Sequence, residues 1–174
     1  AAQGSILLFL DADVELRDPD FLKRAWDEFH QIGCDTATCD VEPLSDRRDD
    51  RWSHRFYNWY VRLVKPFIVH APGFCIFAKK SLHDRIKGFD ESVIFCEDHD
   101  YVKRASKIGR FEYLSSVRVP VSTRRLDRDG RLKVGLKYVL GEIHLLTLGS
   151  IRHDRFRYSF GHTPPSHVQT EHQS

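Results

Sequence analysis

The chain has 174 residues, 41% hydrophobic and 30% charged, enough apolar material for one ordinary domain; this excludes a wholly disordered polypeptide. Its 27 lysines and arginines nearly balance 25 aspartates and glutamates, and a formal charge of +2 excludes nucleic-acid binding by bulk electrostatics. No run approaches the ~18 apolar residues of a membrane span, so the sequence predicts a soluble chain, cytoplasmic or held at the cytoplasmic face of a membrane.

Ser5-Ile6-Leu7-Leu8-Phe9-Leu10 is an apolar run of strand length ended by acids, as expected of a strand buried on both faces of a parallel or mixed sheet. Asp18-Pro19-Asp20 caps an amphipathic helix carrying Phe21, Leu22, Ala25, Trp26 and Phe29, and Gly33 stops it. Thr36 to Val41 reads as a short strand, and the charge-dense stretch from Pro43 to Arg51 as a mobile loop. From Trp52 to Val69, Trp52, Phe56, Trp59, Tyr60, Leu63 and Val64 recur at helical spacing among Arg51, Arg55, Arg62 and Lys65. That stripe fits either a core-packed helix or an acceptor-side or membrane-interface helix. A strand over Phe74–Ala78 follows the Pro72-Gly73 turn, then a short helix from Ser81 to Ile86, a helix from Glu97 to Ile108 and a strand from Phe111 to Val121. Arg131 to Ile151 is helical in pattern despite Gly135 and Gly141, and needs a surface to pack on. Residues 1–150 read as one domain portion and 151–174 as a polar tail without periodicity, disordered from Gly161 onward.

Four cysteines, Cys34, Cys39, Cys75 and Cys96, match no paired zinc spacing and predict reduced, partly buried thiols. The chain holds no Met and opens directly into a strand, which predicts a processed piece or fragment of a longer protein.

Three constellations carry chemistry. Asp11-Ala12-Asp13 puts two carboxylates on one side of the chain at a strand end, the outline of a hard-cation site for Mg²⁺ or Mn²⁺ that needs a diphosphate to complete it. Such a pair also serves as turn-capping chemistry. Gly88-Phe89-Asp90-Glu91 followed by Glu97-Asp98-His99-Asp100 and Arg104 gathers acids at a helix start, where Asp98 or Asp100 could take a proton from a hydroxyl; an Asp100–Arg104 pair at i, i+4 is the plainer role. Arg124 and Arg125 follow a strand pattern and suit a diphosphate leaving group, or simple solvation.

In their order, these pieces resemble the family 2 glycosyltransferases of the GT-A fold: the first strand with Asp11-Ala12-Asp13, then Ala71-Pro72-Gly73-Phe74-Cys75-Ile76-Phe77 with Ala78-Lys79-Lys80, then Gly88-Phe89-Asp90-Glu91, Glu97-Asp98-His99-Asp100-Tyr101 and Arg104. The resemblance covers roughly residues 4 to 150. It implies an α/β fold, a partial GT-A domain with a mixed sheet flanked by helices and without the nucleotide-binding strands that precede the D-x-D motif. By the same resemblance, Asp11 and Asp13 hold the divalent cation and the nucleotide sugar, and Asp98 is the base of an inverting transfer. Gly73, Phe74 and Cys75, with Glu97 and Asp100, line the acceptor or sugar pocket, and Arg124 and Arg125 face the leaving phosphates. The implied partners are a UDP- or GDP-linked sugar and a hydroxyl acceptor that a lipid could carry. The Q-x-x-R-W motif of processive synthases is replaced by Ser122-Thr123-Arg124-Arg125-Leu126, which implies a non-processive enzyme.

Two other readings fit parts of the sequence. Phosphatases resembling the haloacid dehalogenases also place D-x-D after an apolar strand, with Asp11 as nucleophile, but Glu15 departs from their pattern. An incomplete transferase piece acting as an interaction module is the other, self-associating through an exposed sheet edge where strands are missing.

Overall fold

Residues 2–12, 14–93 and 96–147 are described by the structure, a computed structural model. Asp13 and the tail expected over 151–174 lie outside the described residues. The strands Ile6–Leu10 (β1), Thr36–Pro43 (β2), Cys75–Lys79 (β3) and Phe111–Val121 (β4) pair in the order β1-β3-β2-β4. β3 is antiparallel to β1 and β2, while β2 and β4 are parallel, so β1, β2 and β4 all point the same way. Their carboxyl ends open at the edge of the sheet where β3 begins, the place where open α/β sheets bind ligands.

The two-residue period of the strands divides the core. Cys75 and Phe77 of β3 face Phe21, Ala25 and Phe29 of the helix Phe21–Ile32 (α1). Ile76 and Ala78 face the other way, toward Val61 of Arg48–Val64 (α2) and Tyr101 and Val102 of Glu97–Ser106 (α4). The sheet is therefore the middle of three layers. The helices Lys80–Arg85 (α3), Arg124–Asp129 (α5) and Arg131–Thr147 (α6) complete the described elements. The buried hydroxyls of Thr36 and Thr38 donate to the carbonyls of Phe77 (2.8 Å) and Cys75 (2.7 Å), so β2 enters the core with its polar groups satisfied.

Several sequence expectations are corrected. β1 is not buried on both faces: it pairs with β3 alone at the sheet margin, and only Leu7 of its five residues is buried. The stretch from Pro43 to Arg51 is not a long loop. β2 runs on through Pro43 because β4 continues to pair with it, and α2 begins at Arg48, leaving four residues between them. α2 ends at Val64 and not at Val69. Its aromatic row is not core-packed: Trp52, Phe56, Trp59 and Leu63 are exposed, while Asp50 and Val61 form the buried side. The register of β2 and β4 jumps between Cys39 and Asp40, from Leu114 to Arg118. Glu28 of α1 holds that bulge, accepting hydrogen bonds from the N–H groups of Ser115 (2.8 Å) and Ser116 (2.9 Å). Burial raises the Glu28 pKa, but the serine hydrogen bonds outweigh it and hold the carboxyl below its usual range.

Candidate active site

β1 delivers Asp11 to the open end of the sheet. The register pairs Leu10 with Cys75, and one step on, the Asp11 N–H donates to the Phe74 carbonyl at 3.2 Å. The strand end is thereby fastened to the turn that precedes β3. On the other side of that turn stands the start of α4. Cys96 takes up a left-handed backbone (φ 58°) just before it, which for a non-glycine residue costs roughly 1 kcal/mol. Glu97, Asp98 and Asp100 then fill the first helical turn.

Asp98 lies directly over Gly73. A Cβ built on Gly73 would stand 2.0 Å from the Asp98 Oδ2 and 2.5 Å from its Cγ, so the missing side chain is the space the carboxylate occupies. Among the described residues no cation faces this carboxylate. Burial pushes the Asp98 pKa up first, the nearby charges of Glu97 and Asp11 add to it, and the net effect carries it to about 7. Charges from two distant segments, Asp11 after β1 and Glu97 on α4, thus act on Asp98 beside a glycine turn. An Asp98 held near neutrality is suited to exchanging a proton with a hydroxyl.

The structure separates the other predicted residues by role. Asp100 turns away to Arg104, whose Nε donates to it at 2.6 Å. The same guanidinium donates to the carbonyls of Ile86 and Gly88, at 2.8 Å each, and Phe89 stacks on Tyr101 with ring centroids 4.3 Å apart. Gly88, at φ 72°, turns the chain so that these carbonyls reach Arg104. The Gly88-Phe89 segment is therefore a brace that sets the position of α4. Phe74 is half-buried and contributes its carbonyl to Asp11, but the Cys75 side chain is buried in the core with Phe77 and not in a pocket. Arg124 and Arg125 begin α5, a helix the sequence pattern did not predict. Arg124 donates to Ser122 Oγ at 3.1 Å, and Arg125 lies 3.9 Å from Asp129. They follow β4, so they leave the sheet at the same end as Asp11.

The sequence reading passed over His70 and quoted His99 in the acidic motif without a role; their rings meet edge to face at 5.2 Å. His70 is buried and its carbonyl accepts from the Tyr113 hydroxyl at 2.7 Å. No spacing in the sequence links the two, so only the fold brings them together.

Among the described residues no group of three His, Cys, Asp or Glu side chains forms a ready cation site. Asp11 still has the right donor chemistry for Mg²⁺ or Mn²⁺, which take one or two carboxylates and fill the rest of their shell with water and phosphate oxygens.

Replacing Gly73 with Ala is expected to push the Asp98 side chain aside without unfolding the chain, because the displaced atoms are the end of a flexible side chain. If Asp98 acts on a substrate, a shift of about an ångström should lower activity about a hundredfold, with the melting temperature nearly unchanged. Thermal denaturation beside an activity assay checks both halves.

No protein-family model and no curated protein sequence matches the chain. Among solved structures, it is similar to the mannosyltransferase PcManGT from Pyrobaculum calidifontis, in complex with GDP-Man and Mn²⁺, at 24% identity and a TM-score of 0.50. The match covers 69% of this chain and 32% of that protein, so the chain spans about a third of its length. The mixed sheet flanked by helices is thus a partial glycosyltransferase-like fold, as expected from the sequence.

Proposed function

We propose that, on this glycosyltransferase-like fold, the chain carries the catalytic carboxylates of a family-2-type enzyme that transfers a sugar from a UDP- or GDP-linked donor to an acceptor hydroxyl. The observation that carries the reading is the Asp98 carboxylate seated over Gly73, in the turn to which the Asp11 N–H is fastened at the carboxyl end of β1. In this reading Asp98 takes the proton of the acceptor hydroxyl. The freed oxygen attacks the anomeric carbon, and the bond to the diphosphate breaks with its electron pair leaving on the nucleoside diphosphate. A single direct displacement inverts the anomeric centre. Asp11 would hold Mg²⁺ or Mn²⁺, which when bound neutralises charge on the departing diphosphate. Arg124 and Arg125 supply guanidinium donors of the kind that match phosphate oxygens.

Isothermal titration of the chain with UDP and GDP, each with and without Mn²⁺ or Mg²⁺, tests the donor side. Cation-dependent binding that is lost in Asp11→Asn supports the reading. A folded chain that binds neither nucleotide under any of these conditions overturns it.

A further inference from the structure

α2 is built with its apolar face outward. At about 100° per residue, Trp52, Phe56, Trp59 and Leu63 fall within a strip roughly 60° wide. Each of these four side chains is more than half exposed. The opposite side of the helix holds the buried Asp50 and Val61. Phe67, just past the helix end, is exposed as well. An outward row of two tryptophans, a phenylalanine and a leucine exceeds the scattered apolar residues of an ordinary surface.

The charges beside the row are mostly basic. From Arg51 to His70 the sequence contains Arg51, Arg55, Arg62 and Lys65 and no aspartate or glutamate. Arg62 and Lys65 turn inward to Asp40 and Glu112, which are spent on them. Arg51 reaches Asp46 at 3.5 Å on the exposed surface. Arg48 and Arg55 are exposed along the border of the apolar strip and form no ion pair among the described residues. Asp49, in the first turn, is the exposed acid nearest this border. α6 starts from the same end, tied to α2 by the Arg131–Asp50 pair, and it too shows Leu132, Leu136, Val139 and Ile143 to the outside, with Lys133 and Lys137 among them.

We propose that the outward face of α2 docks on an anionic lipid bilayer surface, with Trp52, Phe56, Trp59 and Leu63 in the headgroup boundary and Arg48 and Arg55 against the lipid phosphates. Indole and phenyl rings are the side chains best suited to that boundary, and guanidinium groups pair with phosphate. The helix lies on the membrane and does not cross it. No described helix is long and apolar enough to cross a membrane. This inference stands apart from the sugar-transfer reading, since it rests on α2 and not on the carboxylates.

The test is co-sedimentation of the chain with phosphatidylcholine vesicles and with vesicles containing phosphatidylglycerol, at low and at high salt. The wild-type chain should partition onto the anionic vesicles at least about tenfold more strongly than onto the neutral ones, and high salt should weaken it. The Trp52→Ser, Trp59→Ser double variant should lose that partitioning while its melting temperature holds, because both side chains are exposed. Brominated acyl chains should quench tryptophan emission in the wild type, and the quenching should vanish in the double variant although Trp26 of α1 remains. Equal binding to neutral and anionic vesicles, or unchanged binding of the double variant, overturns the proposal. So does a dimer in light scattering that the same two substitutions dissociate, since a second copy would then cover the face.

Discussion

Replacing Asp98 with Asn is expected to remove most of the activity while making the folded chain more stable at pH 8. The two effects have one cause. The carboxylate is held in a poorly solvated position over Gly73, with Glu97 and Asp11 close enough to repel it, so its ionised form is disfavoured and its pKa rises to about 7. In the proposed transfer a base contributes roughly 10²–10⁴ in rate, which the amide cannot supply. As a structural element it is a burden. A folded-state pKa above the ordinary 3.8 means that the fold binds the proton more tightly than the unfolded chain does. The penalty is absent below about pH 4, grows as pH rises toward 7 and is complete above it. The amide, of nearly the same shape, escapes it and should gain on the order of 1–4 kcal/mol at pH 8 in metal-free buffer. Urea denaturation of both proteins at pH 4 and pH 8 checks this. The difference should be near zero at the first and clear at the second; a destabilised Asn variant at pH 8 would mean that the carboxylate is held by attraction and not endured.

Substituting Asp50 with Ala should have the largest effect on stability. Asp50 is 1% exposed at the start of α2, yet its carboxylate is fully engaged. Arg131 binds it with two guanidinium hydrogen bonds (2.7 and 2.9 Å), and the Ser45 hydroxyl donates to it at 2.7 Å. These contacts tie the β2–α2 connection and the start of α2 to the start of α6, 81 positions on. The Arg131 guanidinium is the first cause that holds the Asp50 pKa down to about 2, and the hydrogen bond from Ser45 adds to it. Losing charge-assisted hydrogen bonds of this kind costs about 2–3 kcal/mol. Here the linkage has the opposite sign from Asp98. A folded pKa below the ordinary 3.8 gives stability that is present above about pH 4 and lost as pH falls through about 2. The gap between wild type and Asp50→Ala in denaturant midpoints should therefore be wide at pH 7 and should narrow toward pH 2. A gap of constant width would show that packing, and not the ion pair, is what the substitution removes.

Much of this architecture is legible in the sequence because the relevant signals are local. The apolar run before Asp11 specifies a strand. The spacing of Phe21, Ala25 and Phe29 specifies the inward side of α1, and the alternation from Phe111 to Val121 specifies β4. The order of short motifs pointed to a partial GT-A fold, and the solved-structure comparison agrees with a glycosyltransferase-like fold. Where local signals compete, the sequence reading fails in a consistent way. Pro43 through Arg51 is polar enough to read as loop, yet parallel pairing with β4 extends β2 across Pro43 and the Asp50–Arg131 pair anchors an early start for α2.

By itself, then, the sequence determined most of the elements, their order and the residue types able to do chemistry, since helical and strand periodicities are properties of neighbouring residues. The tertiary structure alone decided which of those residues meet. It set Asp98 in the space left by Gly73, 25 positions earlier in the chain, gave Asp100 to Arg104, and sent Cys75 into the core. It also placed β1 at the margin of the sheet and turned the aromatic row of α2 outward. Periodicity says that a helix has two sides, but which side is buried depends on what the rest of the chain brings against it. Here α2 presents Asp50 to Arg131 and Val61 to the sheet, and that choice leaves Trp52, Phe56 and Trp59 facing out.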